Sequence, residues 1–130
     1  LPGLLPTADA VVICLPLDDS TRGLVDAAFL AALPDGAIVV NIGRGAIVDT
    51  DALVAELGSG RLRAGLDVTD PEPLPPGHPL WSAPGVVISP HVGGAVTTMP
   101  DAVEALVRRQ IAALSAGGDP VNLVRPSVVE

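Results

Sequence analysis

Ala37-Ile-Val-Val-Asn-Ile-Gly-Arg-Gly-Ala-Ile-Val-Asp49 opens as a short run that is almost wholly apolar and rich in β-branched side chains. Such a run, too short for a helix and without alternation, reads as a strand covered on both faces. Pro34-Asp35-Gly36 before it supplies a turn, and Gly43-Arg-Gly45 after it breaks the pattern. Upstream, Ala10-Val-Val-Ile-Cys-Leu15 has the same character and stops at Pro16. Downstream, Ala64-Gly-Leu-Asp-Val68 and Val86-Val-Ile-Ser89 repeat it.

Helical signals separate these runs. Asp26 to Leu33 reads as a short helix with Asp26 as N-cap. Thr50 to Leu57 follows the acidic start Asp49-Thr50-Asp51 and ends at Gly58-Ser-Gly60. A last helix starts at Thr97 or Thr98, where Thr98 and Asp101 have capping-box spacing. Val103, Leu106, Val107, Ile111 and Leu114 then place one apolar stripe along it. Strand and helix alternate as in an α/β protein with a parallel sheet. Asp70 to Gly85 stands apart, because six prolines there exclude a regular ladder. It is a long stiff loop after the C-terminal end of a strand, where open parallel sheets bind ligands.

Composition narrows the function. The chain has 130 residues, 48% hydrophobic and 17% charged, enough for one packed domain and too apolar for a disordered chain. Seven Arg without Lys against fifteen acids leave a net charge of -8. With only Phe29 and Trp81 as aromatics, neither phosphate tracking nor base stacking is supported, so no nucleic-acid partner is expected. No apolar run reaches the roughly 18 residues of a membrane span, and no secretory signal is visible, so no membrane partner is expected. Cys14 is the single cysteine, which excludes an internal disulfide or a cysteine-built metal site and fits a reducing, cytoplasmic setting. No metal is expected.

Ends of parallel strands share one edge of a sheet, so Arg44, Asp67, Glu72 and His91 are candidates to converge on one crevice. An Arg buried between Gly43 and Gly45 suits a carboxylate or phosphate ligand. A His with a carboxylate in reach suits a proton donor whose charged form the carboxylate favours. Each residue also has a plain structural reading. Arg44 can be a solvated or salt-bridged residue, His91 a neutral strand-end histidine, Glu72 a solubilising loop charge and Asp67 a turn cap. Cys14 reads as a small core residue, His78 as exposed, Trp81 as loop packing, and Gly93-Gly94 as a tight turn. Spacing leaves both sets of readings open.

Three longer motifs bear on the choice. Asn41-Ile-Gly-Arg-Gly-Ala-Ile-Val-Asp49, Gly65-Leu-Asp-Val-Thr-Asp-Pro-Glu-Pro73 and Pro79-Leu-Trp81 with Ser89-Pro-His-Val-Gly-Gly94 resemble successive signatures of the D-isomer-specific 2-hydroxyacid dehydrogenases. Ala8-Asp-Ala-Val-Val-Ile-Cys-Leu-Pro-Leu17 and Ser20-Thr-Arg-Gly-Leu24 resemble the segment that precedes them. The similarity runs from about Leu4 to Val124. It implies an α/β, Rossmann-type parallel sheet forming the second half of a dinucleotide-binding domain over residues 1–130. It further implies an oxidoreductase that moves a hydride between NAD or NADP and a small 2-oxoacid or 2-hydroxyacid, as a homodimer when full length.

Residue roles follow from the same resemblance. Arg44 would clamp the substrate's carboxylate and carbonyl oxygen. His91 would serve as general acid in reduction and base in oxidation, and Glu72 would orient it. Leu15, Thr21, Ile42, Gly43, Arg44, Asp67, His91, Val92, Gly93 and Gly94 would line the cofactor. Cys14 stands where many members carry His, and the family's G-x-G-x-x-G fingerprint is not in this sequence. The chain opens on Leu1 and has its one Met at position 99, so a C-terminal half, weakly active or inactive alone, is expected. Two other readings share the fold. Formate dehydrogenases carry Gln at the place of Glu72, and corepressors of the C-terminal binding protein type keep the Arg/Glu/His set but use NAD to control assembly.

Overall fold

The computed structural model describes residues 3–123. The chain divides into two units, Leu1–Gly94 and Ala95–Glu130. Val124, where the resembling stretch ends, lies outside the described residues.

In the first unit the elements follow in the order β1 (Ala10–Ile13), α1 (Ala27–Ala31), β2 (Ile38–Asn41), α2 (Thr50–Gly58), β3 (Arg63–Leu66) and β4 (Val86–Ile88). The strands form one parallel sheet in the order β1-β2-β3-β4. This is the expected α/β, Rossmann-type arrangement. Both helix starts are set by local chemistry. The Asp26 side chain accepts from the Phe29 N–H at 2.8 Å, and that of Asp49 from the Ala52 N–H at 3.0 Å. Arg61 then ties the two helices together. Its guanidinium donates to the carbonyls of Leu30 and Leu33 near the end of α1 and to Glu56 on α2.

Ile13, Val39, Ala64 and Leu66 from the sheet pack with Leu30 of α1 and Leu53 and Leu57 of α2 in one core. Each fully buried Leu or Val there is worth about 1.5–3 kcal/mol. Leu74 and Leu80 peg the proline-rich loop into the same core. The Trp81 indole N–H donates to the Pro75 carbonyl at 3.0 Å, so Trp81 braces that loop as expected.

Several expectations need correction. The strands are shorter than the apolar runs, and β1 and β4 are not covered on both faces. Val12 is 57% exposed and Val87 72%. The helices in this unit cover the face that carries Val11, Ile13, Val39, Ala64 and Leu66, and the alternate residues face away. Cys14 is exposed and not a core residue, because β1 ends at Ile13 and the chain then leaves the sheet toward Pro16. His78 is half-buried instead of exposed. Its ring Nδ1 accepts from the Leu80 N–H and caps the turn at Pro79–Trp81.

In the second unit, α3 spans Met99–Ser115, with Thr98 in the N-cap position. The Thr98 side chain makes no capping bond, contrary to the capping-box expectation. Its backbone is already helical, which turns the hydroxyl from the free N–H groups, and Pro100 removes one of those donors. Val103, Val107, Ile111 and Leu114 follow the expected helical spacing, and no residue of α3 is buried. No described helix is long and apolar enough to cross a membrane.

Candidate active site

The segment after β2 is shaped by one buried side chain. Asn41 is 1% exposed, and its amide serves both ends of the turn. Its Oδ1 accepts from the Gly43 N–H at 3.0 Å, and its Nδ2 donates to the Arg44 carbonyl at 2.9 Å. Gly43 and Gly45 are both buried, for a steric reason. A Cβ on Gly43 would lie 2.8 Å from the Leu15 carbonyl oxygen, and one on Gly45 would lie 1.9 Å from that of Thr69. The turn is thus wedged between the chain leaving β1 and the chain leaving β3. Only glycine permits that approach.

Gly45→Ala is therefore expected to destabilise the fold by about 3 kcal/mol. The clash is with backbone, which cannot rotate away. A urea midpoint equal to that of the parent protein would show that the two segments do not meet.

Arg44 sits between these glycines, and here the expectation of a buried Arg is corrected. The flanking glycines are buried and the Arg is exposed. Its Nη1 donates to the Gly43 carbonyl at 2.6 Å, and it forms no ion pair with Asp67 or Glu72. The site's own acids leave its charge uncompensated, so most of its donor fork is free for an anionic ligand.

The chain leaving β3 reaches Glu72 through Asp70–Pro71, a cis peptide bond, and leaves it through a second, Glu72–Pro73. Thr50 at the start of α2 donates its hydroxyl to the Asp70 carbonyl at 2.8 Å and holds this loop to the helix. Glu72 Oε1 lies 2.6 Å from His91 Nδ1. The side chains are 38% and 47% exposed, open enough for a ligand to reach the ring. With Nδ1 engaged, Nε2 is the nitrogen left for chemistry. Beside the pair lies a cavity of about 150 Å³ lined mainly by apolar groups, among them Leu74, Trp81 and Ile88.

Asp67 directly follows β3 and holds the turn that carries His91. Its Oδ1 accepts from the Ser89 hydroxyl at 2.5 Å and the Val92 N–H at 3.0 Å, and its Oδ2 from the Gly93 N–H at 2.8 Å. The Ser89 hydroxyl foremost, then the Gly93 and Val92 amides, hold the Asp67 carboxyl below the usual carboxylate range. Asp67 is thus more than a local turn cap.

The structure joins Glu72 to His91 and Asp67 to the His91 turn, and brings Gly43 against Leu15. It places Arg44 on the same sheet edge, with no hydrogen bond to His91. Leu15, Ile42 and Val92 are large apolar residues exposed at the strand ends. Thr21 spends its hydroxyl within its own loop, donating to the Pro16 carbonyl and accepting from the Asp18 N–H. Gly94 closes the first unit. Two supporting residues, Asn41 and Ser89, were not assigned roles from sequence. A polar residue at the end of an apolar strand, two or three positions before a candidate site residue, is the available signal. A larger cavity of about 490 Å³, lined by Arg22, Asp49, Asp51, Asp70 and His78 among others, holds none of the expected site residues.

Comparisons with known proteins identify the family. A family model described as "D-isomer specific 2-hydroxyacid dehydrogenase, NAD binding domain" matches residues 1–93. The chain belongs to this family. Among its relatives, a glyoxylate reductase from Aeropyrum pernix is 41% identical over 100% of this chain and 39% of its own length. A glyoxylate/hydroxypyruvate reductase B from Pectobacterium carotovorum is 44% identical over 98% of this chain and 40% of its own. A D-isomer specific 2-hydroxyacid dehydrogenase from Xanthobacter autotrophicus Py2, solved with NADPH and MES, superposes with a TM-score of 0.84. It is 42% identical and covers 97% of this chain and 52% of that one. This family member thus spans about 40% of the length of the curated relatives it matches. Arg44, Glu72 and His91 all lie within the matched residues.

Proposed function

We propose that the intact protein interconverts a small 2-oxoacid and its D-2-hydroxyacid with NAD(P)H, using Arg44, Glu72 and His91 of this chain. The observation that carries the reading is the 2.6 Å contact between Glu72 Oε1 and His91 Nδ1 at the C-terminal edge of the sheet. A histidine so held has one nitrogen oriented and one nitrogen free, as a general acid requires.

The residues fit a nicotinamide cofactor. Leu15, Ile42 and Val92 are exposed apolar residues beyond the C-terminal ends of the strands, where a flat ring and its ribose would pack. When bound, the reduced nicotinamide supplies the hydride to the carbonyl carbon. Arg44 binds the substrate carboxylate with its fork and sets one N–H toward the carbonyl oxygen. His91 donates the Nε2 proton to that oxygen as negative charge gathers on it, and Glu72 keeps the ring oriented and stabilises its charge. In the reverse direction the same nitrogen takes the hydroxyl proton.

The domain reading belongs to the same proposal. Residues 1–130 form the nicotinamide-side half of a dinucleotide-binding domain, since the glycine fingerprint that cradles a pyrophosphate is not among them. A homodimer and a reducing, cytoplasmic setting, in which the exposed Cys14 stays a free thiol, go with it. Neither nucleic acid nor membrane is a proposed partner.

The test is oxidation of NADH and NADPH by the intact protein with glyoxylate, hydroxypyruvate, pyruvate and phosphohydroxypyruvate. Consumption with at least one is expected, and none with any of them would end the reading. Residues 1–130 expressed alone are expected to show weak NADH binding and no turnover. Tight binding with turnover would refute the half-domain assignment.

A further inference from the structure

We infer that Ser89 is a positioning residue for His91, acting through the Asp67 carboxylate. The inference rests on the proposed role of His91 as proton donor. His91 has a φ of 55°, in the left-handed region that residues with side chains occupy only when their surroundings hold them there. Its turn follows β4, where Ser89 is the last residue tied to the sheet. The Ser89 N–H donates to the Leu66 carbonyl at 2.8 Å, and the His91 N–H donates to the Ser89 carbonyl at 3.0 Å.

Beyond Ser89, no backbone bond to β3 continues the ladder, and the Asp67 carboxylate takes over. It binds one donor before His91, the Ser89 hydroxyl, and two after it, the Val92 and Gly93 amides. The turn is therefore gripped from both sides of the histidine. Gly93 is needed for the grip, since a Cβ there would sit 2.8 Å from Asp67 Oδ2. Of the three donors, Ser89 alone is a side chain and alone is anchored on the sheet. Without its hydroxyl the carboxylate is free to rotate toward Val92 and Gly93, and the ring carried by the turn loses its fixed approach to Glu72. A second hydroxyl residue keeps the grip. An apolar residue of the same size does not.

The test compares Ser89→Ala and Ser89→Thr in the intact protein. In Ser89→Ala, kcat is expected to fall about tenfold while the KM for the 2-oxoacid changes less than about twofold. The solvent deuterium isotope effect on kcat should rise, because proton donation from a loosened ring becomes slower than the other steps. Ser89→Thr should restore both quantities. Amide hydrogen exchange at Val92 and Gly93 should quicken in the Ala variant and not in the Thr variant. An Ala variant with parental kcat, isotope effect and exchange would overturn the inference. So would a Thr variant as impaired as the Ala one, which would make the role steric. His91→Ala at the parental rate would instead overturn the proposed function. The exchange rates would still report whether Ser89 holds the turn.

Discussion

Replacing His91 with Ala in the intact protein is expected to lower kcat by about 10²–10⁴-fold, the range for loss of a positioned general acid. The expectation rests on the contact of His91 Nδ1 with Glu72 Oε1 at 2.6 Å, which leaves Nε2 to meet the carbonyl oxygen. Binding of the reduced nicotinamide should survive, since the exposed apolar residues Leu15, Ile42 and Val92 are unchanged. The KM for the 2-oxoacid should move far less than kcat, because the proton is needed as charge develops and not for docking. Glu72→Gln should fall between the parent and His91→Ala. It keeps a hydrogen-bonding group at the ring but removes the carboxylate's negative charge beside it. Steady-state rates with titration of the cofactor fluorescence separate these effects. A His91→Ala variant with unchanged turnover would remove the histidine from the mechanism.

Arg44→Ala is expected to lower kcat/KM by about 10³-fold, comparable to deleting a donor that stabilises an oxyanion. Part of the loss should appear in KM, as the substrate carboxylate loses its partner, and part in kcat, as the carbonyl oxygen does. Stability should hardly change. Among the described residues the exposed guanidinium makes a single hydrogen bond, to the Gly43 carbonyl, and no ion pair. Arg44→Lys should recover little, because an ammonium cannot bridge a carboxylate and a ketone oxygen with two parallel donors. An Arg44→Lys variant close to the parent in kcat/KM would mean that only a positive charge is required there. The Arg→Lys pair thus tests the fork, and the Arg→Ala variant tests the site.

Local and long-range interactions contribute differently to this site. Arg44, Glu72 and His91 stand out in the chain because each lies in a motif of unusual composition: a glycine-flanked turn, a proline-rich loop and a strand end. The parallel α/β order is equally visible. Apolar runs of strand length alternate with helical spacing, and the N-caps Asp26 and Asp49 act on amides three residues ahead. Interactions of that reach are written into neighbouring residues.

Exposure was harder to read. Cys14 has an apolar neighbourhood in the sequence yet is exposed, because the strand ends one residue earlier. Arg44 lies between two buried glycines yet faces outward, because those glycines are packed against the carbonyls of Leu15 and Thr69 and leave its side chain no inward path. The capping expectation at Thr98 failed for a related reason. Spacing specifies the candidate oxygen, while the backbone conformation settles whether it can reach the amide.

From the order of residues alone come the family, the succession of strands and helices, and the candidate residues Arg44, Glu72 and His91. Folding adds the pairings: Glu72 with His91, 19 positions apart, and Asp67 with Ser89, Val92 and Gly93, between 22 and 26 positions apart. The difference is one of range. Periodicity and capping are fixed by bonds within a turn or two, whereas a hydrogen bond between distant loops exists only once adjacent parallel strands bring their ends to one edge.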